Sequence, residues 1–172
     1  MSLSIFLIIL FLIITYPLAR GARSLAPWVP TKQRDVVRLC NLLHLTKFDT
    51  FIELGCGNGR VCNAVARHFP DAKIIGVEIA WPLAWYAKFS ARHLTNSSII
   101  CADALQYPLH DATVIYVFGM PEALANKLTK KILAECAPGT RVISYSFRFH
   151  ELPLVATHKP DDMLALYEYV IA

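Results

Sequence analysis

Short apolar runs and longer amphipathic stretches alternate along the chain from Thr31 to the C-terminus. A short apolar run bounded by glycine, proline or an acid is typical of a buried strand, and apolar positions three and four residues apart are typical of a helix. The predicted strands are Thr50–Leu54, Lys73–Glu78, Ser97–Cys101, Thr113–Phe118 and Arg141–Phe147. The predicted helices are Asp35–Leu43 (with Thr31 as its cap), Val61–Phe69, Pro82–Leu94 and Pro121–Cys136.

This alternation predicts an α/β fold, because strands joined through helices form a mostly parallel sheet covered on both faces. Residues 152–156 and 164–171 follow without a long helix between them, so we expect an antiparallel C-terminal hairpin. The predicted fold is therefore Rossmann-like, with right-handed crossovers that bring a ligand to the carboxyl ends of the strands.

Residues 3–19 form an apolar run without a charged residue. As a helix this run spans about 25 Å, close to the thickness of the hydrocarbon core of a bilayer. A signal peptide and a buried core helix are alternatives, but no basic region precedes the run and no polar stripe crosses it. The prediction is one transmembrane helix at 1–20, a linker at 21–30 and one domain at 31–172.

Basic residues follow the apolar run at Arg20, Arg23, Lys32 and Arg34. The positive-inside rule keeps such residues in the cytoplasm. We therefore expect a single-pass membrane protein whose C-terminal domain faces the cytoplasm, with the membrane as one partner.

Composition narrows the possible partners and cofactors. The net charge of +4 is too small to indicate a nucleic-acid-binding face by itself. The five cysteines include no C-x-x-C pair, which favours a reducing compartment over a disulfide framework or a zinc site. The six histidines have no metal-ligand spacing, so no metal is expected.

The candidate chemistry begins at Glu53–Arg60, which ends a predicted strand and opens a helix. Glycines let a backbone approach its ligand closely, and free amides at a helix start suit a polar group. Arg60 stands at the third glycine of the dinucleotide fingerprint, and no P-loop lysine follows. A carboxylate before the glycines suits the ammonium and sulfonium of S-adenosylmethionine better than a pyrophosphate.

Two further acids end the next strands. Glu78 closes the second strand, where a carboxylate can take both hydroxyls of a ribose. Asp103 follows the third strand, at the edge expected to meet adenine, although it also suits a turn or a helix cap. Ile79, Ala80 and Trp81 are candidates for the adenine pocket and are equally compatible with ordinary packing.

With these residues the sequence resembles the class I, seven-stranded S-adenosylmethionine-dependent methyltransferases. The first motif of that family, E/D-x-G-x-G-x-G, matches Glu53–Gly59 in full. The resemblance implies that Glu53 reaches the amino end of the cofactor, Glu78 its ribose and Asp103 its adenine. The cofactor-binding residues it implies are Glu53, Gly55, Cys56, Gly57, Gly59, Glu78, Ile79, Asp103 and Ala104.

A narrower resemblance lies in Pro27–Thr31, which is similar to the P-[FY]-V-P-[ST] stretch of a small membrane-anchored group. That group includes the lysine methyltransferases of the ATP synthase c-subunit and the adenine nucleotide translocase. It tends to have Asn/Asp-Pro after the ribose acid, where this chain has Ala80–Pro82. The resemblance implies a lysine of a membrane-associated protein as the methyl acceptor.

The candidate catalytic residues are Tyr116, Pro121 and Thr31, which we expect to wall the acceptor. Trp28, Phe118, Tyr145 and Phe147 are further candidates, and core packing is the alternative role for each aromatic. A [DN]-P-P-[YFW] motif, usual in enzymes that methylate base amines, is absent after the fourth strand, which argues against a nucleic-acid substrate. A small-molecule or lipid methyltransferase and a non-catalytic cofactor-binding module remain alternatives.

Overall fold

The computed structural model describes residues 3–8, 11, 15–16, 25 and 29–172. The candidate Trp28, the basic residues Arg20 and Arg23, and most of the predicted linker lie outside the described residues. The proposed division of the chain at residues 20 and 30 therefore stays a prediction.

A seven-stranded sheet forms the centre of the molecule, with strand order β3-β2-β1-β4-β5-β7-β6. Strands β1 to β5 are mutually parallel, and β7 lies antiparallel to both β5 and β6. This order confirms the predicted Rossmann-like sheet and its antiparallel C-terminal hairpin. The strands are β1 Thr50–Leu54, β2 Lys73–Glu78, β3 Ser97–Cys101, β4 Val114–Val117, β5 Arg141–Tyr145, β6 Leu154–His158 and β7 Leu166–Val170.

Helices cover both faces of this sheet. The helices are α1 Gln33–Leu42, α2 Arg60–His68, α3 Trp81–Ala91, α4 Pro121–Ala123 and α5 Thr129–Glu135, with a π-helical segment at Leu124–Leu128. One face packs against α1, α2 and α3 through residues such as Val36, Val65 and Ala87. The other face packs against the π-helical segment and α5 through Leu128 and Ile132. The predicted coverage of both faces is confirmed.

Two local predictions are wrong. Thr31 does not cap α1: Lys32 holds the N-cap position without a side-chain hydrogen bond, because the Thr31 hydroxyl faces Tyr116 instead. The predicted helix from Pro121 to Cys136 is interrupted by the π-helical segment, where both the amide and the hydroxyl of Thr129 donate to the carbonyl of Leu124. Such insertions often lie near functional sites.

The N-terminal prediction needs a correction of its own. No helix among the described residues is long and apolar enough to cross a membrane. The predicted single-pass membrane localisation, with its transmembrane helix and cytoplasm-facing domain, is therefore wrong.

Candidate active site

A glycine loop joins β1 to α2 at the carboxyl edge of the sheet. Gly55, Gly57 and Gly59 have φ values of +78°, +55° and +76°, which residues with a side chain adopt only at a cost. The amides of Gly55 and Cys56 both donate to the carbonyl of Val77, at 2.8 and 3.0 Å. These bonds hold the loop against the end of β2.

Gly59 is the point where the loop touches α3. A Cβ built at Gly59 would lie 2.9 Å from the Cβ of Ala87, closer than two such carbons can approach. Gly59 therefore lets α2 start directly against α3. The structure explains this glycine by helix packing, and its predicted contact with the cofactor stays a prediction.

The Glu78 side chain ties the end of β2 to the loop. Its Oε2 accepts a hydrogen bond from the amide of Gly57 at 2.8 Å, and its Oε1 accepts one from the amide of Ala80 at 2.8 Å. Burial raises the pKa of Glu78, and the hydrogen bonds from Ala80 and Gly57 act in the opposite direction. A two-oxygen carboxylate thus lies at the strand end where the sequence predicts the ribose acid.

Glu53 lies on β1, and its carboxylate reaches the first turn of α2. Its Oε2 accepts hydrogen bonds from the amide of Cys62 at 3.0 Å and from the Cys62 thiol at 2.9 Å. The pKa of Glu53 is raised to about 8, chiefly by burial and also by the negative charge of Glu78, while the bonds from Cys62 oppose the rise. The predicted contact of Glu53 with the amino end of a cofactor remains a prediction.

Gly76 in β2 makes the space in which these groups pack. A Cβ at Gly76 would lie 2.8 Å from the Sγ of Cys62, 2.9 Å from the Sγ of Cys56 and 2.7 Å from Ile99 Cδ1. The Cys56 thiol therefore points into the core, and only the backbone of Cys56 belongs to the loop surface. Nothing in the sequence pattern singled out Gly76, since a lone glycine in a strand has many explanations.

The predicted adenine side holds Ile79, Asp103 and Ala104. The Oδ1 of Asp103 accepts a hydrogen bond from the amide of Leu105 at 2.9 Å, so Asp103 stabilises a turn, which was the alternative role that its sequence position allowed. Ala104 is buried and Ile79 is half-buried. Their contact with adenine stays a prediction.

Thr31 and Tyr116 meet between α1 and β4. The Thr31 hydroxyl lies 3.4 Å from the Tyr116 hydroxyl, and Arg60 donates to the carbonyl of Thr31 at 3.0 Å. Burial raises the pKa of Tyr116 far above its ordinary value, so its phenol stays protonated. Pro121 is exposed and begins α4, apart from this pair.

A second contact joins α1 to β5. The Tyr145 hydroxyl donates to Asp35 Oδ2 at 2.9 Å, and Arg38 Nη2 lies 3.1 Å from Asp35 Oδ1. The ring of Phe118 meets the ring of Tyr145 edge to face, with centroids 4.9 Å apart. The sequence pattern indicated Tyr145 only as one acceptor candidate among several, and it missed Asp35, because a single acid in a helix carries no signal of its own.

Leu25 packs between the glycine loop and the segment that follows β4. Its carbonyl accepts a hydrogen bond from the amide of Met120 at 2.9 Å, and its side chain is buried near Gly55. A residue that precedes the predicted domain thus packs against the loop. Among the described residues, no group of three or more histidines, cysteines and acids could hold a metal ion.

The site suits S-adenosylmethionine by its chemistry. Glu53 and Glu78 bring two carboxylates to one end of a glycine loop, and these match a ligand with cationic groups and ribose hydroxyls. The seven-stranded order with its antiparallel β7, together with this loop, defines a class I S-adenosylmethionine-dependent methyltransferase. The chain belongs to the ANTKMT methyltransferase domain family, whose model matches residues 53–156.

Two relatives extend this assignment. A protein-lysine N-methyltransferase of Saccharolobus islandicus (strain REY15A) is 32% identical over 127 residues, which cover 70% of this chain and 76% of that protein. A lysine N-methyltransferase of Xenopus laevis, named for the c-subunit of ATP synthase, is 27% identical over 149 residues, covering 83% of this chain and 63% of that protein.

Solved structures share the fold. An RNA methyltransferase from Salinibacter ruber in complex with S-adenosyl-L-homocysteine superposes with a TM-score of 0.77 at 25% identity, covering 83% of this chain and 94% of that chain. An S-adenosylmethionine-dependent O-methyltransferase from Thermotoga maritima superposes with a TM-score of 0.67 at 16% identity, covering 84% of this chain and 67% of that chain. The cofactor of this enzyme is S-adenosylmethionine, as predicted.

Proposed function

We propose that the protein transfers methyl groups from S-adenosylmethionine to lysine side chains of a protein substrate. The observation that carries the proposal is the aromatic pair Phe118 and Tyr145, in edge-to-face contact where β4 and β5 end. Apolar surroundings disfavour an ammonium and so favour the neutral amine, which is the nucleophile. Both relatives are named lysine N-methyltransferases, which supports the same acceptor.

Within this proposal the two strand-end acids bind the cofactor. S-adenosylmethionine supplies a methyl group that its sulfonium already activates. Glu78 accepts hydrogen bonds from the ribose hydroxyls. The amides of Gly57 and Ala80 hold its carboxylate in place for this contact. Glu53 binds the amino end. The remaining contacts are assigned to Gly55, Cys56, Gly57 and Gly59 in the loop and to Ile79, Asp103 and Ala104 on the adenine side.

Thr31, Tyr116 and Pro121 form the proposed wall of the acceptor path. Thr31 and Tyr116 join the start of α1 to β4, and the exposed Pro121 begins the helix beyond β4. Their function is to align the amine and to keep water away from it, which is the main contribution an enzyme makes to an in-line methyl transfer.

The finer proposal is that the protein substrate is membrane-associated. In the apolar run at 3–19, the described residues Leu3, Ile5, Phe6, Leu7, Ile8 and Phe11 are all exposed. Contiguous exposed apolar surface often marks a contact with another apolar surface. The name of the Xenopus laevis relative, which specifies the c-subunit of ATP synthase, supports the same direction.

Tritiated S-adenosylmethionine incubated with the full-length protein and total cell extract tests both proposals. After separation of protein, lipid, RNA and small molecules, we expect label in protein, and acid hydrolysis should release it as methyllysine. Label confined to lipid or small molecules would favour the alternative acceptors, and label in RNA would favour the activity named for the Salinibacter ruber structure. Binding of S-adenosylhomocysteine without any transfer would favour a non-catalytic module.

Two variants make this experiment specific. Glu78→Ala should lower the label strongly at a cofactor concentration near the Kd of the unmodified protein, because the variant binds the cofactor more weakly. Glu168→Gln is the matched control, since Glu168 lies on β7 and bonds Arg141 at 2.9 Å, on the hairpin side of the sheet. Undiminished label in Glu78→Ala would contradict the proposed ribose contact. Equal label in membrane and non-membrane proteins would contradict the finer proposal.

A further inference from the structure

We infer that Tyr145 receives the acceptor amine through its hydroxyl oxygen, and that Asp35 is a positioning residue that holds this hydroxyl in place. The inference rests on the proposed lysine methyltransferase function and assigns roles within the same site. It is carried by a buried contact between the first helix and the fifth strand.

The register of the sheet places Tyr145 nearer to the ligand edge than Tyr116. Glu53 pairs with Tyr116, and Tyr116 pairs with Ile143, so these three residues form one row across the sheet. Tyr145 follows Ile143 by two residues and faces the same side, one row closer to the carboxyl edge. Parallel α/β sheets bind their ligands at that edge.

Phe118 directly follows the last residue of β4 and meets the Tyr145 ring edge to face. The Tyr116 hydroxyl, by contrast, lies in the lower row and faces Thr31. Of the two tyrosines, Tyr145 is therefore the one beside the aromatic surface that a lysine side chain would enter.

The hydrogen bond to Asp35 determines whether the Tyr145 hydroxyl can act as a donor or an acceptor toward the amine. Tyr145 donates its proton to Asp35 Oδ2 at 2.9 Å, which leaves the lone pairs of the phenol oxygen as acceptors. Burial, followed by the hydrogen bond to Asp35 and the Asp35 charge, raises the pKa of Tyr145 to about 12, so the phenol keeps its proton. A hydrogen-bond acceptor at this place can orient an N–H of the amine.

Asp35 also forms an ion pair with Arg38. Its Oδ1 lies 3.1 Å from Arg38 Nη2, and the same Arg38 nitrogen donates to the carbonyl of Leu164 at 2.6 Å. The Asp35 carboxylate is 1% exposed. A buried carboxylate fixed in this way limits the rotation of the Tyr145 hydroxyl, as a supporting residue does for a binding group.

These residues serve the transfer of the methyl group from sulfur to the acceptor nitrogen. The neutral amine keeps one N–H bonded to the Tyr145 oxygen, so that its lone pair points away from that bond and toward the methyl carbon. The N–C bond forms as the S–C bond breaks, and the electron pair of that bond stays on sulfur. The surplus proton of the methylated amine then leaves to solvent.

The test measures methyllysine formed from tritiated S-adenosylmethionine and total cell protein by the full-length enzyme and its variants. Tyr145→Phe should lower the maximal rate about 100-fold, the size expected for a misplaced reactant, with KM for the cofactor unchanged. Asp35→Ala should lower it similarly. Asp35→Asn, whose amide oxygen still accepts the Tyr145 proton, should restore most of the rate, and Asp35→Ala with Tyr145→Phe should be no slower than Tyr145→Phe.

Tyr169→Phe is the matched structural control, because Tyr169 is a buried tyrosine on the opposite face whose hydroxyl accepts a hydrogen bond from the amide of Phe149 at 2.9 Å. It should affect thermal unfolding without changing the rate per folded enzyme. A Tyr145→Phe enzyme that folds, binds S-adenosylhomocysteine and keeps its rate would overturn the inference. No methyllysine from the unmodified enzyme would instead overturn the proposed function, and this inference with it.

A spectroscopic measurement adds a readout that does not depend on turnover. In protein carrying ¹³C-labelled tyrosine and saturated with S-adenosylhomocysteine, the Tyr145 signal is assigned by its loss in Tyr145→Phe. We expect n-butylamine, an analogue of the lysine side chain, to shift this signal and to leave the Tyr169 signal in place. A Tyr145 signal that does not respond would contradict the proposed contact.

Discussion

The two halves of the proposed active site, one for the cofactor and one for the acceptor, are built over very different distances along the chain. On the cofactor half, Glu53 bonds a residue nine positions away and Glu78 bonds residues two and 21 positions away. On the acceptor half, the Thr31–Tyr116 contact spans 85 positions and the Asp35–Tyr145 contact spans 110. The cofactor half is therefore close to a local motif, whereas the acceptor half exists only when α1 docks on the ends of β4 and β5.

Because of this difference in sequence separation, substitutions in the two halves should have different effects. The turns of the cofactor half tolerate few substitutions, because each glycine of the loop contacts a nearby backbone or side-chain atom. The acceptor half depends on a few side chains that bridge distant elements. We expect substitutions in the first half to affect folding and cofactor affinity together, and substitutions in the second to affect transfer alone.

The largest expected effect follows from Gly59→Ala. The new Cβ would lie 2.9 Å from Ala87 Cβ at a φ of +76°. Overpacking and the left-handed conformation together should lower the free energy of unfolding by about 3 kcal/mol. Denaturant unfolding measures this, and Gly139→Ala, at a φ of +89° with nothing near its Cβ, is the control that carries only the conformational cost. Equal losses in both variants would contradict the packing role of Gly59.

Glu78→Ala should weaken the binding of S-adenosylhomocysteine about 100-fold. The substitution removes the carboxylate proposed to accept hydrogen bonds from the ribose hydroxyls, and a hydrogen bond to a charged group is worth about 1.5–3 kcal/mol. Calorimetric titration gives the affinity. Unchanged affinity would remove Glu78 from the ribose site and would weaken the separation of the two halves.

Tyr116→Phe is expected to have a smaller effect, of about tenfold or less on the rate of methyl transfer, with unchanged affinity for S-adenosylhomocysteine. Its hydroxyl contact with Thr31 is long, at 3.4 Å, and a neutral hydrogen bond contributes about 1 kcal/mol. Initial rates at saturating cofactor measure the effect. A loss of cofactor affinity equal to the loss of rate would show that Tyr116 belongs functionally to the other half.

The smallest expected effect is a pH dependence of stability that comes from Glu53 in the cofactor half. The pKa of Glu53 is raised from 4.5 to about 8 in the folded protein, so the folded state binds this proton more tightly than the unfolded state. Its contribution to stability is fully present below about 4.5 and is lost as the pH rises toward 8. The thermal unfolding temperature of the unmodified protein should fall between pH 5 and 8 relative to that of Glu53→Gln, whose side chain does not titrate. Parallel pH profiles would contradict the raised pKa of Glu53.

Sequence patterns located the glycine loop and the two acids at strand ends because that information is local. The acid and glycines at 53–59 and the acid at 78 lie at strand ends that short apolar runs reveal. The interruption at Leu124–Leu128 was not predictable in this way, since a π-helical insertion leaves the apolar pattern of a helix nearly intact. The transmembrane helix was predicted from hydropathy alone, and the described residues contain no such helix.

By itself, the sequence determined the alternation of strands and helices, the parallel sheet with its closing hairpin, and the glycine loop with its two acids. These depend on periodicity, turn residues and charge within short windows. Only the tertiary structure decided that Gly76 makes space for Cys56 and Cys62, and that Asp35 belongs with Tyr145. Contacts between residues 110 positions apart arise from packing of whole elements, and no local pattern records which side chains that packing brings together.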